Sequence, residues 1–194
     1  IRKTGGPGDH RPSYAPGVMR KPVLVVAALI AAAVALGVAF AVIRRGDVQT
    51  QPPPAKNLVV TIGEQSFTLV DGIAEKEIAP GSTETVRVVG EGVSGDIDGD
   101  GKLEAALLLA DDPGGSGTFY YAVLAVNEGK SWRATNTLPL GDRIKPEGID
   151  FTNGQFVYRF LERNPDEPMS APPTVENAVP VRLDAETGRI SAWG

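Results

Sequence analysis

The stretch Gly95–Leu109, GDIDGDGKLEAALLL, sets three aspartates at alternate positions directly against an apolar run. Counting Asp96 as position 1, Asp98 and Asp100 stand at 3 and 5, Lys102 at 7 and Glu104 at 9. Hard cations such as calcium take six to eight oxygen ligands at roughly 2.3–2.6 Å. Side chains at 1, 3, 5 and 9, with the backbone carbonyl of Lys102 at 7, supply most of these from one tight loop. Gly99 and Gly101 permit the positive φ angles that such a turn needs. Asp96, Asp98, Asp100 and Glu104 repel one another unless a cation lies among them. A structural calcium site made by Asp96, Asp98, Asp100, Lys102 and Glu104 is therefore expected. The alternative is a metal-free acidic turn, because Asp and Gly are also common turn residues. An EF-hand is excluded: its loop needs a bidentate Glu at position 12, which here is Leu107, and a helix on each side.

Other reactive chemistry is sparse. The chain has no cysteine, which removes disulfides, thiolate zinc sites, cysteine nucleophiles and a lipidated cysteine. The single histidine, His10, lies in a polar leader, so a Ser-His-Asp triad or a histidine-bound metal in the folded part is excluded. Asp142-Arg143 and Asp166-Glu167 offer carboxylates for the acid/base pair of a glycosidase, but nothing fixes their separation and they read better as solvated turn charges. Asp111 and Asp112 read as turn residues at a hairpin rim, with a second weak cation site as the alternative. Phe119, Tyr120, Tyr121 and Trp132 read as packing aromatics before they read as a sugar or peptide platform.

The elements that must position the loop are strands. From Asn57 onward, short apolar runs alternate with Gly, Pro, Asp and Asn punctuation. LEAALLLA (103–110) and GTFYYAVLAV (117–126) are apolar on both faces, the pattern of central strands covered on each side. DDPGGSG (111–117) joins them, and ETVRVVG (84–90) reads as a strand that ends at Gly90. Asn153-Gly154 is the strongest hairpin signal, SWRATNTL (131–138) reads as one strand, and AVPVRLD (178–184) alternates strictly. The proline-rich ERNPDEPMSAPPT (162–174) reads as an ordered strap or a mobile excursion. Eight to ten strands and no soluble helix make the fold class all-β, mainly an antiparallel sandwich or open barrel.

One transmembrane helix is expected before this domain. Val23–Ile43 is a 21-residue run without charge, roughly 32 Å as a helix and close to the bilayer core thickness. Residues 1–21 read as a disordered basic segment, 22–43 as an anchor, 44–56 as a proline-rich linker and 57–194 as the β-domain. Met19 is a candidate start. Ala39–Ala41 resembles a signal-cleavage site, but Arg44-Arg45 directly after the run favours an uncleaved anchor. Residues 1–45 carry seven Lys/Arg and one Asp, net +6, leaving the rest at net −11. The basic side places the N-terminus inside and the acidic domain outside the cytoplasm. An acidic domain without a basic stripe excludes nucleic acid as a partner. The membrane, through residues 22–43, is the expected partner, with a protein or glycan partner open.

D-x-D-x-D-G-x-x-[D/E] running into an apolar strand resembles the calcium loops of FG-GAP and VCBS-type extracellular β-domains. Those loops end on Asp where this one has Glu104, and they repeat to build propellers where this chain has one copy. GDIDGDGKLEAALLL, GGSGTFYYAVLAVN, LGDRIKP and NPDEPMSAPPT, in this order over about Asn57–Leu183, are similar to a family of small uncharacterised exported bacterial proteins. That resemblance implies the fold and the compartment and carries no activity. The expected function is a non-enzymatic, calcium-stabilised β-domain on a membrane anchor, in binding or envelope organisation. The alternatives are a carboxylate-based hydrolase of envelope polysaccharide and a metal-free assembly protein.

Overall fold

The computed structural model describes residues 56–193. The basic segment 1–21, the anchor 22–43 and nearly all of the linker lie outside the described residues. Among the described residues no helix is long and apolar enough to cross a membrane.

The described residues are all-β. Twelve strands follow in order: β1 (Val59–Ile62), β2 (Gln65–Thr68), β3 (Ile73–Ala79), β4 (Ser82–Gly95), β5 (Glu104–Asp112), β6 (Phe119–Asn127), β7 (Trp132–Ala134), β8 (Leu138–Asp142), β9 (Lys145–Thr152), β10 (Gln155–Glu162), β11 (Val175–Asp184) and β12 (Arg189–Ala192). Every strand pairing is antiparallel. They form a β1–β2 hairpin, a main sheet ordered β3-β4-β5-β6 with β7 and β8 both on the far side of β6, and a second sheet ordered β12-β11-β10-β9.

Period-two alternation sends the residues of β5 and β6 to two separate cores. Ala105, Leu107, Leu109, Val123 and Ala125 pack with Leu58, Val60, Phe67 and Leu69 under the hairpin. Ala106, Leu108, Ala122 and Leu124 pack with Phe156, Tyr158, Val181 and Ile190 of the second sheet. The two central strands are therefore covered on both faces, as their sequence predicts. Tyr158, 1 % exposed, donates its hydroxyl to the carbonyls of Leu107 and Val123 at 3.2 and 3.1 Å. Those two residues pair across β5 and β6, so the second sheet is pinned to the middle of the first.

Two boundaries differ from the sequence reading. β4 does not stop at Gly90 but continues to Gly95. Gly90 and Gly92, at φ 76° and 70°, form a bulge between Val89 and Val93, so glycines that read as an end are an interruption. SWRATNTL is two strands, separated by Thr135–Thr137: Thr135 still donates its N–H to the Leu124 carbonyl of β6 at 2.9 Å, and the next two residues bond elsewhere. Asn136 donates to the Ile190 carbonyl at 3.1 Å and accepts the Ile190 N–H at 2.8 Å, while Thr137 donates to the Thr61 carbonyl at 2.8 Å. That three-residue break ties the main sheet to both of its neighbours. The proline-rich stretch between β10 and β11 is a largely exposed excursion, closed at its base by Thr174 N–H donating to Glu162 O at 3.0 Å. Asn153 and Gly154, at φ 52° and 75°, make the expected tight β9–β10 turn.

Candidate metal centre

The aspartate loop connects β4 to β5, the most buried of the described strands. Gly95 pairs with Glu104 at its base, so the loop is closed by a strand pair before any side chain acts. Gly99 and Gly101 have φ of 77° and 86°, the left-handed region that glycine adopts at little cost.

Asp96 organises the turn. Its Oδ1 accepts the Gly99 N–H at 2.7 Å and its Oδ2 the Gly101 N–H at 3.1 Å. Asp98 Oδ1 accepts the Asp100 N–H at 3.1 Å. Glu104 reaches back beneath the loop, where Oε2 accepts the Ile97 N–H at 3.3 Å. The result is a convergence of Asp96, Asp98 and Glu104, each offering a carboxylate oxygen within 4.8 Å of the others. Oxygens bound to one calcium ion at about 2.4 Å lie at most about 4.8 Å apart. The donor set therefore fits a hard cation in spacing and in chemistry.

Asp100 and Lys102 stand apart from that convergence. The Lys102 ammonium donates to Asp100 Oδ2 at 2.6 Å, and its backbone N–H to Oδ1 at 2.8 Å. These bonds hold the exposed Asp100 carboxyl below its usual range and raise Lys102. Of the five expected ligands, the structure thus gathers positions 1, 3 and 9 and turns 5 toward the Lys102 side chain.

Glu104 is 1 % exposed. Burial pushes its carboxyl up to about 7; the Ile97 hydrogen bond opposes that shift, and the weaker fields of Asp98 and Asp100 add to it. A buried acid beside two aspartates either keeps its proton or takes a cation.

The remaining candidates are spread out. Asp142, on β8, accepts the Thr118 N–H at 3.2 Å, whereas Asp166 and Glu167 are exposed in the β10–β11 excursion. Tyr121 and Trp132 pack against the hairpin core and Tyr120 against the opposite one, leaving Phe119 the most exposed of the four at 39 %. Asp111 belongs to β5 and is 5 % exposed, not a rim residue. A groove of about 550 Å³ runs beside the hairpin, bordered by Val59, Val70, Glu128, Trp132 and Arg133. No local pattern in the sequence marks it, because its walls come from both strands at the open end of the hairpin and from β7.

No protein-family profile, no curated protein and no solved structure matches this chain.

Proposed function

We propose that the chain is a non-enzymatic β-domain of sandwich type, anchored through residues 22–43 in the cell membrane and exposed outside the cytoplasm. In this reading the loop holds a structural calcium ion, and the domain serves in binding at the envelope. The observation that carries the reading is the convergence of Asp96, Asp98 and Glu104 within 4.8 Å at the start of the strand that both cores share. Positions 1, 3 and 9 are also ones at which the resemblance to FG-GAP and VCBS-type loops expects ligands. The Lys102 carbonyl and solvent would complete the shell, with Asp100 joining if its side chain turns from Lys102. The ion would neutralise the loop and fix the beginning of β5, which is a contribution to fold integrity. Its affinity belongs with extracellular modules, at roughly 0.1–1 mM. The groove beside Trp132 is the surface this reading offers to a protein or glycan partner.

A metal-free interaction domain is the second reading. It is favoured by the loop's own hydrogen bonds, which give Asp96, Asp98 and Asp100 backbone partners without an ion. Melting of the full chain in calcium and in EDTA separates the two. Calcium binding raises the midpoint, and equal midpoints leave the metal-free domain.

A further inference from the structure

Glu84 and Asp111 lie at the other end of β5 from the calcium loop. Val86 pairs with Asp111, and Val86 faces the hairpin core. Glu84, two residues before Val86 on β4, shares that face. Both acids are buried, 8 % and 5 % exposed. No ion pair to either carboxylate forms among the described residues. Asp111 Oδ1 is buried without a hydrogen-bond partner among the described residues.

An ionised oxygen in that position lacks both solvent and a donor, whereas a protonated carboxyl is itself a donor and needs only an acceptor. Each element packed around the pair limits what that acceptor can be. From β3, Lys76 is the cross-strand partner of Glu84, but its ammonium donates to Gln65 of β2. From β6, Phe119 lies opposite Asp111 and Tyr121 is diagonal to it. Asp142 of β8 pairs with Phe119 and is engaged by the Thr118 N–H. Asp112 follows on the opposite face of the strand and accepts the Gly114 N–H. The hairpin strands VVTI and QSFT carry no charge, and Glu64 in their turn is exposed. Glu84 is the carboxylate left to accept.

We propose that Glu84 and Asp111 hold one proton between them, as a carboxylic acid hydrogen-bonded to a carboxylate, and that this pair is a pH-sensitive latch on the β1–β2 hairpin. While the proton is present the pair carries a single negative charge, and Lys76 stays on Gln65, tying β3 to β2. When the proton leaves to solvent, a second negative charge is buried beside the first. The nearest cation in register is Lys76, and drawing it to Glu84 gives up the bond to Gln65. The hairpin loses that tie, and with it part of the cover over one face of the main sheet. Burial, then Glu84, then Asp112 raise the Asp111 carboxyl, in keeping with a proton retained in the folded state. Burial, then Asp111, then Glu84 raise the Tyr121 phenol, which stays a neutral neighbour.

Site-resolved NMR of the full chain tests this. The carboxyl carbons of Glu84 and Asp111 are followed from pH 4 to pH 9, and hydrogen exchange of the Phe67 and Thr68 amides reports the hairpin. The pair is expected to titrate in two separate steps, the second above the ordinary carboxylate range. At pH 8, Asp111→Asn, which keeps a donor and cannot ionise, should protect the β2 amides about two- to tenfold more than wild type, the worth of the Lys76–Gln65 hydrogen bond that it retains. At pH 5 the two proteins should match. Comparison at equal pH cancels the titration of Glu104. Should Asp111→Asn fail to fold, Glu84→Gln makes the same comparison, and the wild-type titration stands by itself. Two carboxyls that titrate together in the ordinary range would overturn the proposal. So would β2 protection that is the same in wild type and variant at every pH.

Discussion

Glu104 and Ile97 are seven residues apart and joined by a hydrogen bond of 3.3 Å, in which the buried carboxylate accepts the loop's own N–H. The bond carries the side chain from the first residue of β5 back under the turn, beside Asp96 and Asp98. The loop's electrostatics and the position of the central strand are therefore one problem.

The pH dependence of stability follows. The Glu104 carboxyl is raised from 4.5 to about 7 in the folded protein. A raised carboxyl favours the folded state below its unfolded value and withdraws that support as pH rises through its folded value. Without calcium, stability should fall between about pH 4.5 and pH 7.5, by about 3 kcal/mol from this residue. Calcium holds the carboxylate ionised, so the difference between calcium and EDTA should widen from pH 5 to pH 8. Urea unfolding at several pH values with and without EDTA measures both, and a Glu104→Gln variant should lose most of the slope.

The aspartates should not contribute equally. Asp98 lies in the convergence, whereas Asp100 is held by Lys102. Asp98→Asn should weaken calcium binding by about tenfold or more, or ~1.4 kcal/mol. Asp100→Asn should cost about threefold or less on the same scale. Calcium titrations of the two variants, each against wild type, supply the ranking, and a reversed order would place the ion nearer Asp100.

Gly95 has no room for a side chain. A Cβ there would lie 2.5 Å from the Phe151 ring, which itself packs in a tilted contact on Phe156, with centroids 4.7 Å apart and planes at 49°. Gly95→Ala should cost about 1–3 kcal/mol by overpacking. Phe151→Leu in the same chain should recover part of that loss, a coupling that a double-mutant cycle measures directly.

Asn136 joins two sheets through both ends of its amide. Asn136→Ala removes two hydrogen bonds and leaves Ile190 backbone groups unpaired, for about 2 kcal/mol. Equilibrium unfolding gives the value. Hydrogen exchange should show the β12 amides losing more protection than those of β5.

The central strands were legible in the sequence because a strand buried on both faces must be apolar at every position, as Ala105–Ala110 is. Asn153-Gly154 was legible because few residues tolerate two successive positive φ angles. The loop's members were legible from spacing, and which of them converge was not. Whether Asp100 turns inward or toward Lys102 depends on one flexible ammonium, which no spacing rule encodes. Gly90 and Gly92 punctuate the chain as an end does, and only pairing with β5 makes them a bulge. Asn136 meets Ile190 across 54 residues, beyond the reach of any local pattern. Asp111 carried turn composition around it, and its burial comes from the sheet that closes over it.

The measurement that bears most directly on the calcium claim is isothermal titration of the full chain with calcium at pH 7.5, beside a Glu104→Gln variant. The account predicts one site per chain with a dissociation constant of roughly 0.1–1 mM. It also predicts release of about a quarter of a proton per ion, the share of a Glu104 carboxyl near 7 that is still protonated at this pH, detected by repeating the titration in buffers of different ionisation enthalpy, and loss of both signals in the variant. No saturable binding in wild type, or binding unchanged in Glu104→Gln, would contradict it.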